Sequence, residues 1–410
     1  MEFFEFLRDP VTYIAEWLSS ILIGWGVAPE WVTFILFSIG AAILGTVALL
    51  LTLLLIWAER KIIGRMQDRF GPNRVGPWGI FQSVADMVKI FIKEHIIPDG
   101  VDPIPFHLAP IIVVSSVLLV WSVIPFSESL MGSNLNVAVL FILAVGGVGE
   151  IGIMMAGWGS NNKYALLSAF RASAQMISYE VPMAITLLIP VMLSGSMAMG
   201  DIVKAQTVPY FFIMPLAAII FFVASIAENG RAPFDLAEAE SELVAGFNTE
   251  YSGLKFGMFY VADFLRAFTS ALIFASIFLG GWQGPGAEAF PILGGFYLVL
   301  KSLIVWFAGV WIRGTLPRFR IDQMMDINWK FLTPLSLVLL LILVFVQKLL
   351  MNTMPFIQMS VMLGINLILM FIAYRTLSHE AGKLSVEEIG SRSRPLAKPD
   401  NVFIQSSNGG

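Results

Sequence analysis

Three carboxylates of this sequence lie in stretches too apolar to hold a lone charge cheaply. Glu150 sits at the centre of VGGVGEIGIMM, Glu180 follows Tyr179 in QMISYEVP, and Asp263 lies in FYVADFLRAF with Arg266 three residues on. An ionised side chain at the middle of a membrane span costs about 2.5–3.5 kcal/mol to insert, so it usually faces a protein interior or water and has a functional role. Glu150 has only glycines around it, which let other helices approach. Asp263 has Arg266 on its own helical face, so a structural ion pair rivals a functional role there. Together these acids would form a hydrated path into the membrane.

A second acidic cluster follows in ENGRAPFDLAEAESELVAGFNTEY, residues 228–251, where Glu228, Asp235, Glu238, Glu240, Glu242 and Glu250 stand against Arg231 alone. Pro233 is suited to start a helix, which would place Asp235, Glu238 and Glu242 on one face at spacings of 3 and 4. Like charges so close repel and exchange protons as a coupled set. A solvated acidic face is the plainer reading, but Phe234, Leu236, Leu243, Val244 and Phe247 interrupt the acids and the loop is hemmed between two spans.

Residues 59–94 hold a third group, beginning Glu59-Arg60-Lys61. Gly71, Pro72, Gly76, Pro77 and Gly79 make a stiff turn that is no phosphate loop, because no Gly-Lys-Ser/Thr follows. Gln82, Asp86, Lys89 and Lys93 then recur on one helical face, with Phe81, Val84, Val88, Phe91 and Ile92 on the other. At about 15 residues this helix is too short to span, so it should lie along the membrane surface. It reads either as an anchor or as the doorway for a lipid-soluble ligand. Glu59-Arg60-Lys61 reads most simply as interfacial snorkelling.

The elements that position these groups are membrane helices. Of 410 residues 57% are hydrophobic and 13% charged, with mean hydropathy +0.80, a balance that places most of the chain in lipid. Nine windows reach the roughly 20 apolar residues a crossing requires: 31–57, 108–126, 137–157, 179–199, 208–227, 254–280, 293–312, 331–351 and 355–374. The first and sixth are long enough to tilt or to extend beyond the lipid. Of the 25 Lys and Arg, only Arg8, Lys204 and Lys348 fall on one side and Arg266 and Lys301 within spans. The rest share the other side. That asymmetry predicts an outward N-terminus, with the odd-numbered loops and the tail cytoplasmic. Segment 11–28 reads as a short interfacial helix, and the acidic start of the chain does not fit a cleavable signal. The polar tail from about 380 reads as disordered or draped on a partner.

Composition also excludes chemistry. The chain has no cysteine, which removes disulfides, thiolate metal sites and iron–sulfur ligation. Its three histidines, His95, His107 and His379, are not deep in apolar segments, so paired haem ligands are not expected. A net charge of −4 argues against nucleic acid.

Four blocks carry a family resemblance: AERKIIGRMQDRFGPNRVGPWGIFQSVADMVK (58–89), AGWGSNNKYALLSAFRASAQMISYEV (156–181), AENGRAPFDLAEAESELVAGFNTEYSG (227–253) and GTLPRFRIDQMM (314–325). With them the chain resembles the H subunit of bacterial NADH–quinone oxidoreductase, respiratory complex I, which is equivalent to subunit 1 of the mitochondrial NADH dehydrogenase. The corresponding proteins of membrane-bound hydrogenases share a weaker version, but RAPFDLAEAESELV and ISYE favour the quinone enzyme.

The resemblance implies an all-α polytopic membrane protein with an eight-helix core and a surface amphipathic helix; the window 355–374 adds a ninth transmembrane helix beyond that core, for lipid filling or contact with another subunit. Its expected organisation is an interfacial segment over 1–30, the core over 31–351, an extra helix over 352–376 and a polar cytoplasmic tail over 377–410. It implies a quinone tunnel framed by the first, sixth and surface helices, with Arg60, Arg69, Asp86, Arg231 and Asp235 at lining or supporting positions. It also implies an acidic path through Glu150, Glu180, Glu228, Glu238, Glu240, Glu242 and Asp263 toward antiporter-like membrane subunits. Many relatives carry Glu where this chain has Asp263, which shortens the acid's reach. A family member of this kind carries no redox centre of its own: quinone is the substrate, and NADH, FMN and iron–sulfur clusters belong to partner subunits. The competing readings are a stand-alone proton or cation transporter, a passive scaffold for a peripheral arm, and the hydrogenase relative.

Overall fold

The computed structural model describes residues 9–237, 240–351 and 354–392, and among them there is no strand. A short helix, α1 (Pro10–Gly24), leads in, with the Asp9 carboxylate accepting from the Thr12 backbone N–H at 3.2 Å as its cap. None of its residues is buried, as suits an interfacial segment. Next comes α2 (Pro29–Met66), whose 38 residues reach about 57 Å, far beyond a hydrocarbon core of about 30 Å. The excess carries Glu59 to Arg65 past the hydrocarbon core.

The surface helix α3 (Gln82–Ile92) follows a turn at Pro77–Gly79. Its apolar face points outward, with Phe91 62% and Ile92 79% exposed, while Ser83 is buried and Asp86 half-buried against the protein. A helix greasy on its outer side and polar on its inner side suits a lipid surface.

The bundle is built by α4 (Pro103–Trp121), α5 (Ala138–Gly159) and α6 (Lys163–Ser194), then α11 (Gly253–Phe278), α12 (Pro291–Thr315) and α14 (Thr333–Leu349). Among the described residues eight helices are long and apolar enough to cross a membrane, α2 and the six just named among them, with α14 continuing the helical run from α13 (Ile321–Asp326); the eighth is α15 (Pro355–Arg392). Small residues set the close packing of α4 on α5: a Cβ on Gly152 would lie 2.5 Å from a Val113 methyl. Within its most apolar window α11 is 72% buried against 22% for α2, so α11 is the inner helix and α2 a peripheral one. The Trp121 indole N–H donates to Thr269 at 2.8 Å and fixes α4 to α11.

Two expectations are corrected by the backbone. The window 208–227 is not one helix but two, α8 (Tyr210–Ile213) and α9 (Pro215–Glu228), after the short α7 (Met199–Ala205). Pro215 has no N–H to continue a helix and disfavours helical geometry at the preceding residue, and Met214 sits at φ −133° and ψ 64°. Beyond the bundle, α15 runs past 374 to Arg392, so polar residues 380–392 continue a helix instead of unravelling. Lys, Leu and Glu in this stretch are good helix formers.

Candidate functional site

The C-terminal extension of α2 is held by two ion-pair systems on successive residues. Glu59 is buried, 2% exposed at its side chain, between two guanidinium groups. Arg231 Nη1 donates to both carboxylate oxygens, at 2.7 and 2.8 Å, and Arg313 of α12 pairs from the other side. Arg231 also lies over the Phe264 ring, 4.3 Å from its centroid. A buried carboxylate survives only where opposite charge and hydrogen bonds replace water, and Glu59 has both. Snorkelling is therefore the wrong account of Glu59: the helix end turns inward because α12 and the 228–237 loop bring arginines to it.

One residue on, Arg60 faces α3 and donates to the Asp86 carboxylate at 2.5 Å. Gln82 donates to the same group at 3.3 Å, and the Lys89 ammonium stands 3.8 Å away. Partial burial pushes the Asp86 carboxyl up, but the Arg60 hydrogen bond and charge outweigh it and hold the group below the usual carboxylate range. The polar face predicted for residues 82–93 is thus a docking face toward α2.

Residues 231–237 turn instead of forming a helix, and α10 (Glu240–Leu243) is a single turn. Side-chain donors take the carbonyls that a helix would have used. The buried Gln175 amide of α6 donates to Ala227 O at 2.6 Å and Phe234 O at 2.7 Å, and Ser168 donates to Ala237 O at 2.5 Å. Phe234 and Leu236 are drawn into the core, 5% and 0% exposed. Gly246, at φ +63°, packs so tightly that a Cβ there would collide with Ala237 O. The shared acidic face is thereby corrected. Asp235 turns inward, while Glu242 remains outside, 2.6 Å from Arg171 and 3.6 Å from Arg318. The Arg171 hydrogen bond and charge hold Glu242 below the usual carboxylate range. Glu238 and the side chain of Glu240 lie outside the described residues.

Inside the bundle, Asp235 and Asp263 line one small cavity of about 60 Å³ with Tyr260, Arg231, Arg313 and Asn229. A second, of about 40 Å³, shares Arg231, Arg313 and Asn229 with the first and adds Ser225 and Ser270. A third, of about 50 Å³, shares Ser225 and Ser270 and reaches Glu180, Glu228 and Arg266. Each holds a few waters at most, well below the several hundred Å³ of a ligand pocket. Polar residues shared by their walls place the three side by side between Asp235 and Glu180. Asn229 and Ser270 mark the midpoint, with Asn229 Nδ2 donating to Ser270 Oγ at 2.9 Å.

Glu150 stands in electrostatic reach of Glu180, Glu228 and Arg266. The Glu228 carboxylate lies 3.7 Å from where a Cβ on Gly146 would be, one helical turn from Glu150 on α5. Arg266 Nη2 lies 2.7 Å from the corresponding point on Gly149. The cation missing from the neighbourhood of Glu150 in sequence is thus Arg266. Among the described residues Arg266 makes a close ion pair with neither Asp263 nor Glu150; its charge acts on both, and its guanidinium reaches α5 at Gly149.

The structure therefore gathers Arg231, Asp235 and Asp263 in one cavity, Glu180 and Glu228 in another with Glu150 near, and Arg60 with Asp86. It leaves Arg69 exposed, its Nε donating to Gln67 at 2.8 Å and lining none of these cavities. Sequence reasoning does not reach Glu59, Arg313, Arg266, Asn229 or Gln175 as site residues. An acid at the end of a span, with arginines placed at two later helix ends, is the one signal that points to the first pair.

Comparison with known proteins adds the lineage. A profile of the family described as NADH dehydrogenase matches residues 39–344. The NADH-quinone oxidoreductase H subunit of Dehalococcoides mccartyi (strain CBDB1) is 48% identical over 319 residues, covering 78% of this chain and 88% of the relative. The H subunit of Geobacillus sp. (strain WCH70) is 44% identical over 325 residues, 78% of this chain and 97% of the relative. That of Bacteroides thetaiotaomicron (strain VPI-5482) is 41% identical over 344 residues, 80% and 95%. With a match of this length and a bundle of apolar helices around buried charge, the chain belongs to the NADH-quinone oxidoreductase H-subunit family, the membrane subunits of complex I.

Proposed function

We propose that this chain, within a proton-translocating NADH–quinone oxidoreductase, forms much of the quinone-access path and the acidic route that couples quinone reduction to proton pumping. In this reading α2, α3 and α11 frame the path at the membrane edge; the three helices pack on one another. The observation that carries the reading is the row of three small cavities with shared lining residues, from Asp235 and Asp263 to Glu180 and Glu228, beginning beside the buried Glu59–Arg231–Arg313 cluster. The cavities themselves admit water and not a quinone ring, so the headgroup chamber is completed by the peripheral subunits that bring the electrons.

Two-electron reduction of a quinone takes up two protons at its oxygens. Asp235 and Asp263 are the carboxylates placed to exchange protons near that end. The arginine cluster balances the change in their charge. Glu228, Glu180 and Glu150 pass the disturbance on as a group whose charges feel one another. The N-terminus faces outward and the loop carrying Arg60 to Lys93 faces the cytoplasm, where the peripheral subunits dock.

Glu150→Gln or Glu228→Gln in the assembled enzyme lowers quinone-linked proton translocation about a hundredfold, the low side of what a positioned proton-transferring group contributes. Unchanged pumping in both variants would reduce the chain to a scaffold. A photoreactive quinone analogue labels peptides within 31–93 or 228–270; labels confined to other subunits would remove the tunnel from this chain. Ion flux by the isolated chain in liposomes would instead favour a stand-alone transporter.

A further inference from the structure

An open recess of about 670 Å³ lies on the outer side of α2, walled by α12 and the Pro77–Gly79 turn, apart from the acid-lined cavities. Trp57, Lys61 and Arg65 of α2 line it at successive helical turns, about 6 Å apart along the axis. Trp57 ends the apolar window of the first span, so the two cations stand in the headgroup region and the indole at its lower edge. Ile62 and Phe307 supply an apolar floor, and Phe307 is 41% exposed.

Charge and geometry ask for an anion here. Lys61 and Arg65 are like charges one turn apart, an arrangement that destabilises a bare helix. Neither forms an ion pair with a described carboxylate, whereas the neighbouring Arg60 is held by Asp86. The outer wall is built under strain. Trp78 has φ +55°, an outlier for a bulky residue, between Gly76 and Gly79, which also have positive φ. Its carbonyl accepts from the Trp57 indole N–H at 3.2 Å, which leaves the Trp78 ring 74% exposed over the recess. Strain of this kind persists where surrounding contacts fix it, and it clusters at ligand clamps.

We propose that this recess binds an anionic phospholipid, its phosphate between Lys61 and Arg65, its first methylenes on Trp57, Ile62 and Phe307, and the Trp78 ring beside the headgroup. An acidic partner segment would match the cations but would leave the apolar floor without a purpose; an amphiphile matches both.

The test uses the assembled enzyme in phosphatidylcholine nanodiscs containing a diazirine-bearing phosphatidylglycerol. A phosphatidylcholine with the same diazirine chain serves as control. Labelled peptides covering 57–66 and 307 are expected in excess with the phosphatidylglycerol probe, and unlabelled phosphatidylglycerol should compete. Attraction to an anionic lipid of about fivefold per basic residue predicts a roughly fivefold loss in Lys61→Gln or Arg65→Gln, and about thirtyfold in the double variant. Equal labelling by both probes, an absence of label, or label insensitive to the double variant would overturn the site. So would displacement of the probe by a short-chain quinone, which would make the recess a quinone mouth. If the double variant fails to assemble, competition in the wild-type enzyme decides: no preference for unlabelled phosphatidylglycerol over phosphatidylcholine refutes the proposal. None of these outcomes depends on the acidic route through Glu150.

Discussion

The charges of this chain divide into those with partners and those that share a cavity. Glu59 is of the first kind, fixed between Arg231 and Arg313, and it joins α2, the acidic loop and α12 at one point. Glu59→Gln leaves two arginines facing each other in a buried site. Breaking a buried pair in this way costs about 3–5 kcal/mol. The expected outcome is a large drop in the unfolding temperature of the membrane arm or loss of this chain from the purified complex, with Glu59→Asp milder. Wild-type stability in Glu59→Gln would mean that the pair contributes nothing. Neither the run Glu59-Arg60-Lys61 nor its position revealed this role, since adjacent helical residues face different ways and their partners lie more than a hundred residues on for Glu59 but close by for Arg60.

At the level of elements, the decisive feature is a loop held open by a helix. Residues 228–237 would read as a helix start, yet Gln175 in α6 takes the Ala227 and Phe234 carbonyls and leaves Asp235 aimed into the cavity with Asp263. Gln175→Leu removes two hydrogen bonds, each worth about 0.5–1.5 kcal/mol, and leaves Ala227 O and Phe234 O with only the backbone N–H groups of Gly230 and Leu236. Hydrogen exchange over 228–237 should accelerate, and quinone reduction should fall, while the distant α7 (Met199–Ala205) keeps its protection. Acceleration spread evenly over the chain would indicate general unfolding instead. The break at Met214–Pro215 belongs to the same scale: proline marked it in sequence, but the hydropathy of 208–227 concealed it.

For the whole molecule, the unequal distribution of Lys and Arg predicts an orientation that the bundle alone does not. The absence of cysteine makes this directly measurable. Thr207→Cys, in the exposed turn before α8, should react with a membrane-impermeant maleimide from outside the cell, and Ser378→Cys only after the membrane is opened. The reverse pattern would invert the bundle and place the Arg60–Asp86 end away from any cytoplasmic electron donor.

The sequence by itself determined the membrane, the number of apolar segments to within one broken helix, the helix at 82–92 and the presence of acids at 150, 180, 228 and 263 within or at the ends of apolar stretches. These follow from composition and short-range period, which depend on neighbours along the chain. Only the tertiary structure decided that Glu59 is paired inside, that Arg266 reaches α5 and acts on Glu150 as well as Asp263, that Asp235 and Glu242 part company and that Arg69 stays outside. Each of those outcomes depends on a partner from another helix. In a bundle, which distant side chain fills a buried charge's first few ångströms is set by how the helices cross.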